Sequence, residues 1–447
     1  MAPLLQLALP LLVAAPALVS DERALNLPIG DPARRDRQLA LTVDGISDAS
    51  RGDLVAPPEL AARLEPVKLL FVGESHVDMD FHRVQLRVLQ ELHKRGRQVL
   101  VGLEMYPVGE QAALDRWHSD PALGEEAFLG ESHWYRNWGY HWNYYRDIFL
   151  FAKAAGIPMF GVNVPRSVVQ TVRTKGFAAL TPEQKAMLPP RIDTDSAEHR
   201  RLVRAFFGGE DSAHADLPEA MFDGMYRAQC TWDAAMGWNA LQALRAHGGD
   251  QAIMVVLAGS GHVAYGLGAE RQARLWFQGR TASLLPVPVV DDDHPEPVSA
   301  VQASYADFVW GLPPSAPLPY PTLGLSLAEQ KSEDHYKVVV VSPDSPAALA
   351  GLRVGDALMA MDGVTLDDKE TANRLMSEKR WGDAVSCRVL REGQEQTIVA
   401  YLRRQLPKAL RAGRTKEPKI APGSMPPSAI PGKPPSMPVK PPAGGGS

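Results

Sequence analysis

From residue 68 onward, short apolar runs alternate with stretches in which apolar residues recur at helical spacing. Leu69-Leu70-Phe71-Val72, entered from Lys68 and stopped by Gly73, has the pattern of a strand buried on both faces of a parallel sheet. Met79, Phe81, Val84, Val88, Leu89 and Leu92 then mark one side of a helix over 79–95, with Gly96 as its stop. Gln98 to Leu103 reads as a second strand, Trp142 to Ala155 as a helix closed by Gly156, and Ile157 to Val162 as a third strand. A helical region from Leu202 to His247 leads to a fourth strand, Ala252 to Ala258. Strands alternating with helices predict an α/β fold whose mainly parallel sheet is covered by helices on both faces.

The pattern changes at both ends of this region. Leu4 to Leu18 is almost unbroken apolar sequence ending in Ala15-Pro16-Ala17, which predicts a signal peptide over 1–20 and a periplasmic or extracellular location. The preceding Met1-Ala2-Pro3 lacks Lys or Arg, and no cysteine near the cleavage region suggests an acylated lipoprotein. Residues 21–57 are a polar lead-in, and 58–311 form the α/β domain. Pro313, Pro314, Pro317, Pro319 and Pro321 crowd a linker expected over 312–321. A second, small domain follows over 322–404. The segment 405–447 is rich in Pro, Lys, Ser and Gly, has too few apolar residues to fold, and is expected to be disordered.

Composition adds bounds. A chain of 447 residues exceeds one hydrophobic core, and 45% hydrophobic with 22% charged residues is ordinary for a globular protein. A net charge of -5 supplies no electrostatic case for nucleic acid. The two cysteines, Cys230 and Cys387, fall in different predicted domains and read as two free buried thiols.

Chemistry gathers at the ends of the predicted strands. Gly73-Glu74-Ser75-His76 follows the first, Glu104 ends the second, Asn163 ends the third, and Gly259-Ser260-Gly261-His262 follows the fourth. An open parallel sheet places all of these on one rim, where ligands bind. Imidazoles with carboxylates are the donor set for a divalent transition metal, Fe, Mn, Co or Zn. The glycines at 73, 259 and 261 are expected to let the backbone turn sharply there. Glu74 or Glu104 would serve as general base on a bound water. His82 and Gln85, three apart on the next helix, are placed to support the ligands. Singly, each residue has a plainer reading: a strand-end histidine bonded to backbone, or a solvated helix face for His82 and Gln85. As a set they point to a site, because burying ionisable groups without a role is costly. His118 and His199 lack strand-end placement and stand outside the set as controls.

Gly73-Glu74-Ser75-His76, His82 with Gln85, Glu104, Asn163, Tyr226 with Gln229 and Asp233, and Gly259-Ser260-Gly261-His262 together resemble the ChaN-like, haem-binding uptake branch of the Tiki and erythromycin esterase superfamily. The resemblance spans roughly 64–287. It implies a core of four to five strands and haem or iron handling at the cell envelope. It also implies kinship with divalent-metal hydrolases, with His76, Glu104 and His262 as the metal ligands and Glu74 and His82 nearby. Haem capture in that family uses Tyr and His, which makes Tyr226 and Tyr265 candidates beside His82, Gln85, Asn163 and Gln229. The aromatic segment 133–145 then reads either as a wall for a flat porphyrin or as an aromatic core under a loop. The chain departs from the family in lacking a lipoprotein cysteine and in carrying an extra domain.

That extra domain resembles PDZ domains. Leu323-Gly324-Leu325-Ser326 matches their carboxylate-binding loop, and Ser345-Pro346-Ala347-Ala348-Leu349-Ala350-Gly351-Leu352-Arg353-Val354-Gly355-Asp356 with Met361-Asp362-Gly363 matches their core signature. Backbone amides at Leu323, Gly324 and Leu325 would take the C-terminus of a peptide or protein while its chain extends the sheet edge. Three functions remain open on sequence: haem or metal binding with a PDZ-selected partner, a metal-dependent hydrolase or peptidase, and a scaffold without ligand. Two facing open sites would sandwich cofactors in a homodimer.

Overall fold

The computed structural model describes residues 22–207, 218–290, 298–328, 331–332 and 334–404. The predicted signal peptide and tail lie outside them. No described helix is long and apolar enough to cross a membrane.

Eight strands form the main sheet: β1 (Ile46–Asp48), β2 (Asp53–Val55), β3 (Leu69–Glu74), β4 (Gln98–Pro107), β5 (Met159–Asn163), β6 (Ala252–Gly259), β7 (Thr281–Pro288) and β8 (Phe308–Leu312). Their order is β2-β1-β8-β7-β3-β6-β4-β5. The six strands from β8 to β5 are parallel, and β1 and β2 add an antiparallel edge. The sheet is therefore wider than the four to five strands implied by the resemblance. The additions come from the polar lead-in and from 281–312, whose patterns are too short or too irregular to stand out.

The continuous apolar runs are explained by burial on both faces. Leu70, Val72, Val101, Leu103, Val255 and Leu257 pack into one core with the helix Met79–Lys94 and the aromatic segment. Leu69, Phe71, Leu100, Met254, Val256 and Ala258 pack into the other with the long helix Glu219–His247. Successive strand residues point to opposite faces, so each run feeds both cores. Cys230 and Cys387 are buried free thiols.

The C-terminal domain is an antiparallel sheet. Leu325–Leu327 is one edge strand, paired among the described residues with Tyr336–Val341 alone, and Gln394–Tyr401 is the other edge. The helix Lys369–Ser377 meets the α/β domain: Asn373 Nδ2 donates to Tyr135 O at 2.8 Å, and His133 Nδ1 lies 3.7 Å from Glu370. Near its C-terminal end the proline-rich connection is pinned to both domains. Tyr320 stacks on His141 at 3.6 Å, and Trp381 Nε1 donates to Leu318 O at 2.8 Å.

At the N-terminal ends of the strands, opposite the rim of interest, Arg97 is 6% exposed. Its guanidinium donates to five backbone carbonyls, those of Leu64, Glu65, Val67, Gln251 and Ala252, at 2.8–3.1 Å. It thereby ties the chain entering β3 to the starts of β4 and β6. A buried acceptor left without its donor costs about 1–3 kcal/mol. Arg97→Leu is expected to destabilise the full chain by at least about 3 kcal/mol in chemical denaturation; a loss below about 1 kcal/mol would show that water replaces the guanidinium.

Candidate metal site

The site is assembled where the central strands end. Glu74 pairs with Gly259 across β3 and β6, and Leu103 of β4 pairs with Leu257 of β6, which brings Glu104 level with the same rim. Glu74 and Glu104 lie within their strands, each of which runs further than its apolar pattern. Gly73 and Gly259 likewise continue the strands without a left-handed φ. Their role is space, in place of the sharp turn expected. A Cβ on Gly73 would lie 2.0 Å from Leu285 Cδ2, and one on Gly259 would meet the His76 ring at 3.1 Å.

Two imidazoles are held at Nδ1 by buried carboxylates. His76 Nδ1 lies 2.8 Å from Glu74 Oε1, which also accepts from the Tyr145 hydroxyl at 2.9 Å. His262 Nδ1 lies 2.6 Å from Asp233 Oδ1 on the long helix. Glu74 and Asp233 are fully buried. With both Nδ1 atoms occupied, both rings are left with Nε2 for a ligand. Glu104 stands between them. Its Oε1 is 3.4 Å from His262 Nε2, its Oε2 accepts from Gly259 N at 2.6 Å, and His76 Nε2 and Glu104 Oε2 lie 3.5 and 3.7 Å from the point where a Gly259 Cβ would sit. One donor atom each from Glu74, His76 and Glu104 lies within 4.8 Å of the others; this group shares His76 and Glu104 with the ligand set expected from sequence and has Glu74 in place of His262.

The charges follow from this crowding. Burial pushes the Glu104 and Asp233 carboxyls up, but the facing imidazoles outweigh it and hold both below the ordinary range. Burial opposes the charge on His262, yet Glu104 and Asp233 raise its pKa to about 10. His76 is raised in the same way by Glu74.

The remaining candidates separate into support and distance. His82 and Gln85 are buried behind Glu74 and are no solvated face: His82 Nε2 lies 3.4 Å from Glu74 Oε2, and its Nδ1 lies 3.1 Å from Gln85 Oε1. Asn163 donates to the Glu104 carbonyl at 3.0 Å and so braces the strand. Gln229 Nε2 is 2.8 Å from His262 Nδ1. Because that nitrogen gives its proton to Asp233, the reversed amide, oxygen inward, makes Gln229 a second acceptor. Tyr226 and Tyr265 do not reach the group. The Tyr226 hydroxyl donates to Ser196 O, and that of Tyr265 donates to Ala24 O and accepts from Leu27 N. The aromatic segment packs into the core, and part of it also lines His76. Trp134, Trp142 and Tyr145 are core, while the rings of Trp138 and Tyr140 stand 4.8 and 5.0 Å from that of His76. His118 is exposed on its helix. His199 is not remote, as expected of a control; it is buried beside Asp233. Tyr145 was the site residue hardest to see, since it follows no strand; Asp233 follows none either and entered only through the resemblance.

In the C-terminal domain Gly324 has φ +71 and its Cα packs against Ser345, while the Leu323 and Gly324 carbonyls accept from Ala347 N and Ser342 N. The loop that contains Leu323, Gly324 and Leu325 thus leads directly into an edge strand open to pairing.

Residues 60–272 match the family model described as haem-binding uptake, Tiki superfamily, ChaN, and residues 321–402 match the PDZ domain model. Among curated proteins, Protein RETICULATA-RELATED 5, chloroplastic, of Arabidopsis thaliana is 23% identical over 265 residues, 56% of this chain and 34% of that protein. Magnetosome formation protease MamE of Paramagnetospirillum magneticum is 37% identical over 114 residues, 23% of this chain and 15% of that protein. The chain thus spans about a third or less of the length of these relatives. The solved structure of ChaN of Campylobacter jejuni with cofacial haem superposes with a TM-score of 0.46 at 14% identity, covering 60% of this chain and 98% of that one.

A pH dependence follows from the raised histidine. Protonated His262 stabilises the metal-free fold; that contribution is complete below the ordinary histidine value and is lost as pH rises through about 10. A metal ion needs the deprotonated ring, so its binding runs the other way. Calorimetric titration with Co2+ in buffers of different ionisation enthalpy is expected to show proton release at pH 7.5 and affinity that climbs from pH 6 to 9. Constant affinity without proton release would contradict the assignment of His262 as a ligand.

Proposed function

We propose that this chain, which pairs a haem-binding uptake domain of the Tiki superfamily with a PDZ domain, binds iron or a related transition metal, free or as haem, at His76, Glu104 and His262 in the cell envelope. The observation that supports it best is the pair of buried carboxylates, Glu74 and Asp233, each of which holds an imidazole at Nδ1. This support turns rings into oriented ligands and raises their basicity. The donor set suits a metal ion, and the Trp138 and Tyr140 rings beside His76 suit the edge of a flat apolar macrocycle. Bound metal would supply Lewis acidity or redox chemistry; the protein orients the ligands, supplies the carboxylate and keeps the rear of the site dry. The PDZ domain would bind the C-terminus of a peptide or protein along Leu325–Leu327, which places the metal-binding domain beside a chosen partner. The apolar run at Leu4–Leu18 is the basis for export to the periplasm or beyond.

A second reading is favoured by Glu74. Its Oε2 makes no hydrogen bond among the described residues and faces His82 Nε2 at 3.4 Å, and a carboxylate so close to the candidate ligands would serve as general base on a metal-bound water. That reading is a metal-dependent hydrolase, and it requires chelator-sensitive ester or peptide hydrolysis.

Metal analysis of the purified chain with Co2+ and haemin titrations tests the first reading. His76→Ala, Glu104→Ala and His262→Ala are each expected to weaken binding by no less than the roughly 10–100-fold lost when a supporting residue is removed. Far-ultraviolet circular dichroism should stay unchanged, and His118→Ala should bind as the unaltered chain does. A Soret shift that requires His76 identifies haem as ligand; cobalt binding without it identifies the ion. Equal binding of both by all three variants would refute the site.

A further inference from the structure

His199 takes no part in the site as described, yet it is fully buried in the helix Ala197–Phe207. Its Nε2 lies 3.2 Å from Asp233 Oδ2, the oxygen of that carboxylate not used by His262. On the other side its Nδ1 faces Arg271 Nη2 at 3.4 Å and Cys230 Sγ at 3.7 Å. The donors decide where the ring proton sits. A guanidinium only donates, and Arg271 is held in place by the Asp193 carboxylate and by Asp193 O at 3.1 Å. The Cys230 side chain remains a thiol, its pKa pushed up to about 12 by burial, and so it too has a proton to give. A proton on Nδ1 would meet a guanidinium that only donates and a thiol sulfur that accepts weakly, whereas a proton on Nε2 faces the Asp233 carboxylate at 3.2 Å, which favours Nε2.

Asp233 has no exposed surface; its Oδ2 and His199 Nε2 face each other at 3.2 Å, off the line of a good hydrogen bond, and neither atom has another partner among the described residues. A carboxylate held at one oxygen only is free to rotate about its Cβ–Cγ bond, and its grip on His262 Nδ1 then loses direction. We propose that His199 is a positioning residue for His262: its Nε2–H fixes the Asp233 carboxylate, which fixes the His262 ring with Nε2 toward the ligand. A chain of donors from Arg271 and Cys230 through His199 to Asp233 would thus set the orientation of a ligand on another element. This inference rests on the proposed ligand role of His262, and nothing in the strand-end pattern points to it.

The test uses the full chain with 15N-labelled histidine, metal-free and with Co2+ as probe. In the unaltered protein the His199 ring should show the Nε2–H tautomer and His262 a hydrogen-bonded Nδ1–H. His199→Gln places an amide N–H near the position of Nε2 and should preserve Co2+ affinity within about threefold; His199→Phe has no donor and should lose about 10–100-fold, the range for a supporting residue. In His199→Phe the His262 Nδ1–H signal should weaken or shift. Equal losses in both variants would reduce His199 to packing and overturn the proposal, as would a His199→Phe protein with unchanged affinity and an unchanged His262 signal. If His199→Phe does not fold, the tautomer decides: a His199 that carries its proton on Nδ1 overturns it. Should the unaltered chain bind no Co2+, the metal-site reading fails, and the tautomer and His262 signals still judge this one.

Discussion

Glu74 and Asp233 each place a carboxylate oxygen against the Nδ1 of an imidazole, in a region closed to water. Taking an unpaired ion out of water costs several kcal/mol, so neither carboxylate could stand there without its histidine. The reverse holds as well: burial alone would strip His262 of its proton, and Glu104 with Asp233 keeps it charged in the metal-free protein. Each pair therefore makes the other buried group tolerable. Its geometric consequence is that two rings from different strand ends present the same edge toward Glu104. A metal ion would replace the imidazolium protons as the positive charge among these carboxylates.

The sheet makes this arrangement rigid. β3, β6 and β4 are neighbours in register, and apolar cores on both faces hold them. Gly73 and Gly259 give up side chains where Leu285 and His76 need the space. Arg97 ties the opposite ends of the same strands, so the rim is fixed from its far side. Asn163 braces the Glu104 backbone from β5. The site thus sits on strands, with Asp233 and Tyr145 reaching in from the helices and the loop that cover them.

The parallel α/β sheet and the separate C-terminal domain were legible because buried strands are continuous apolar runs and the proline cluster interrupts the pattern. The strand-end position of Glu74, His76, Glu104 and His262 was legible for the same reason: topology alone puts those ends together. Strand lengths were not, since Glu74 and Glu104 are polar residues that break an apolar run while the backbone continues its ladder. His199 was hidden differently, and Asp233 entered only through the family resemblance. They belong to helices, where a single polar residue looks like part of a solvated face until packing shows what it meets. Tyr226 and Tyr265 became candidates through the resemblance to a family that captures haem with Tyr and His, but nearby backbone groups already occupy both hydroxyls.

The central claim is that the His76 and His262 rings share one ion through Nε2 because Glu74 and Asp233 occupy Nδ1. Anomalous diffraction from crystals of the cobalt-loaded chain tests it directly. The account predicts one cobalt within about 2.0–2.2 Å of His76 Nε2, a Glu104 oxygen and His262 Nε2, with Glu74 and Asp233 still bonded to Nδ1. Cobalt bound through Nδ1 of either ring, or held elsewhere with this group unchanged, would contradict it.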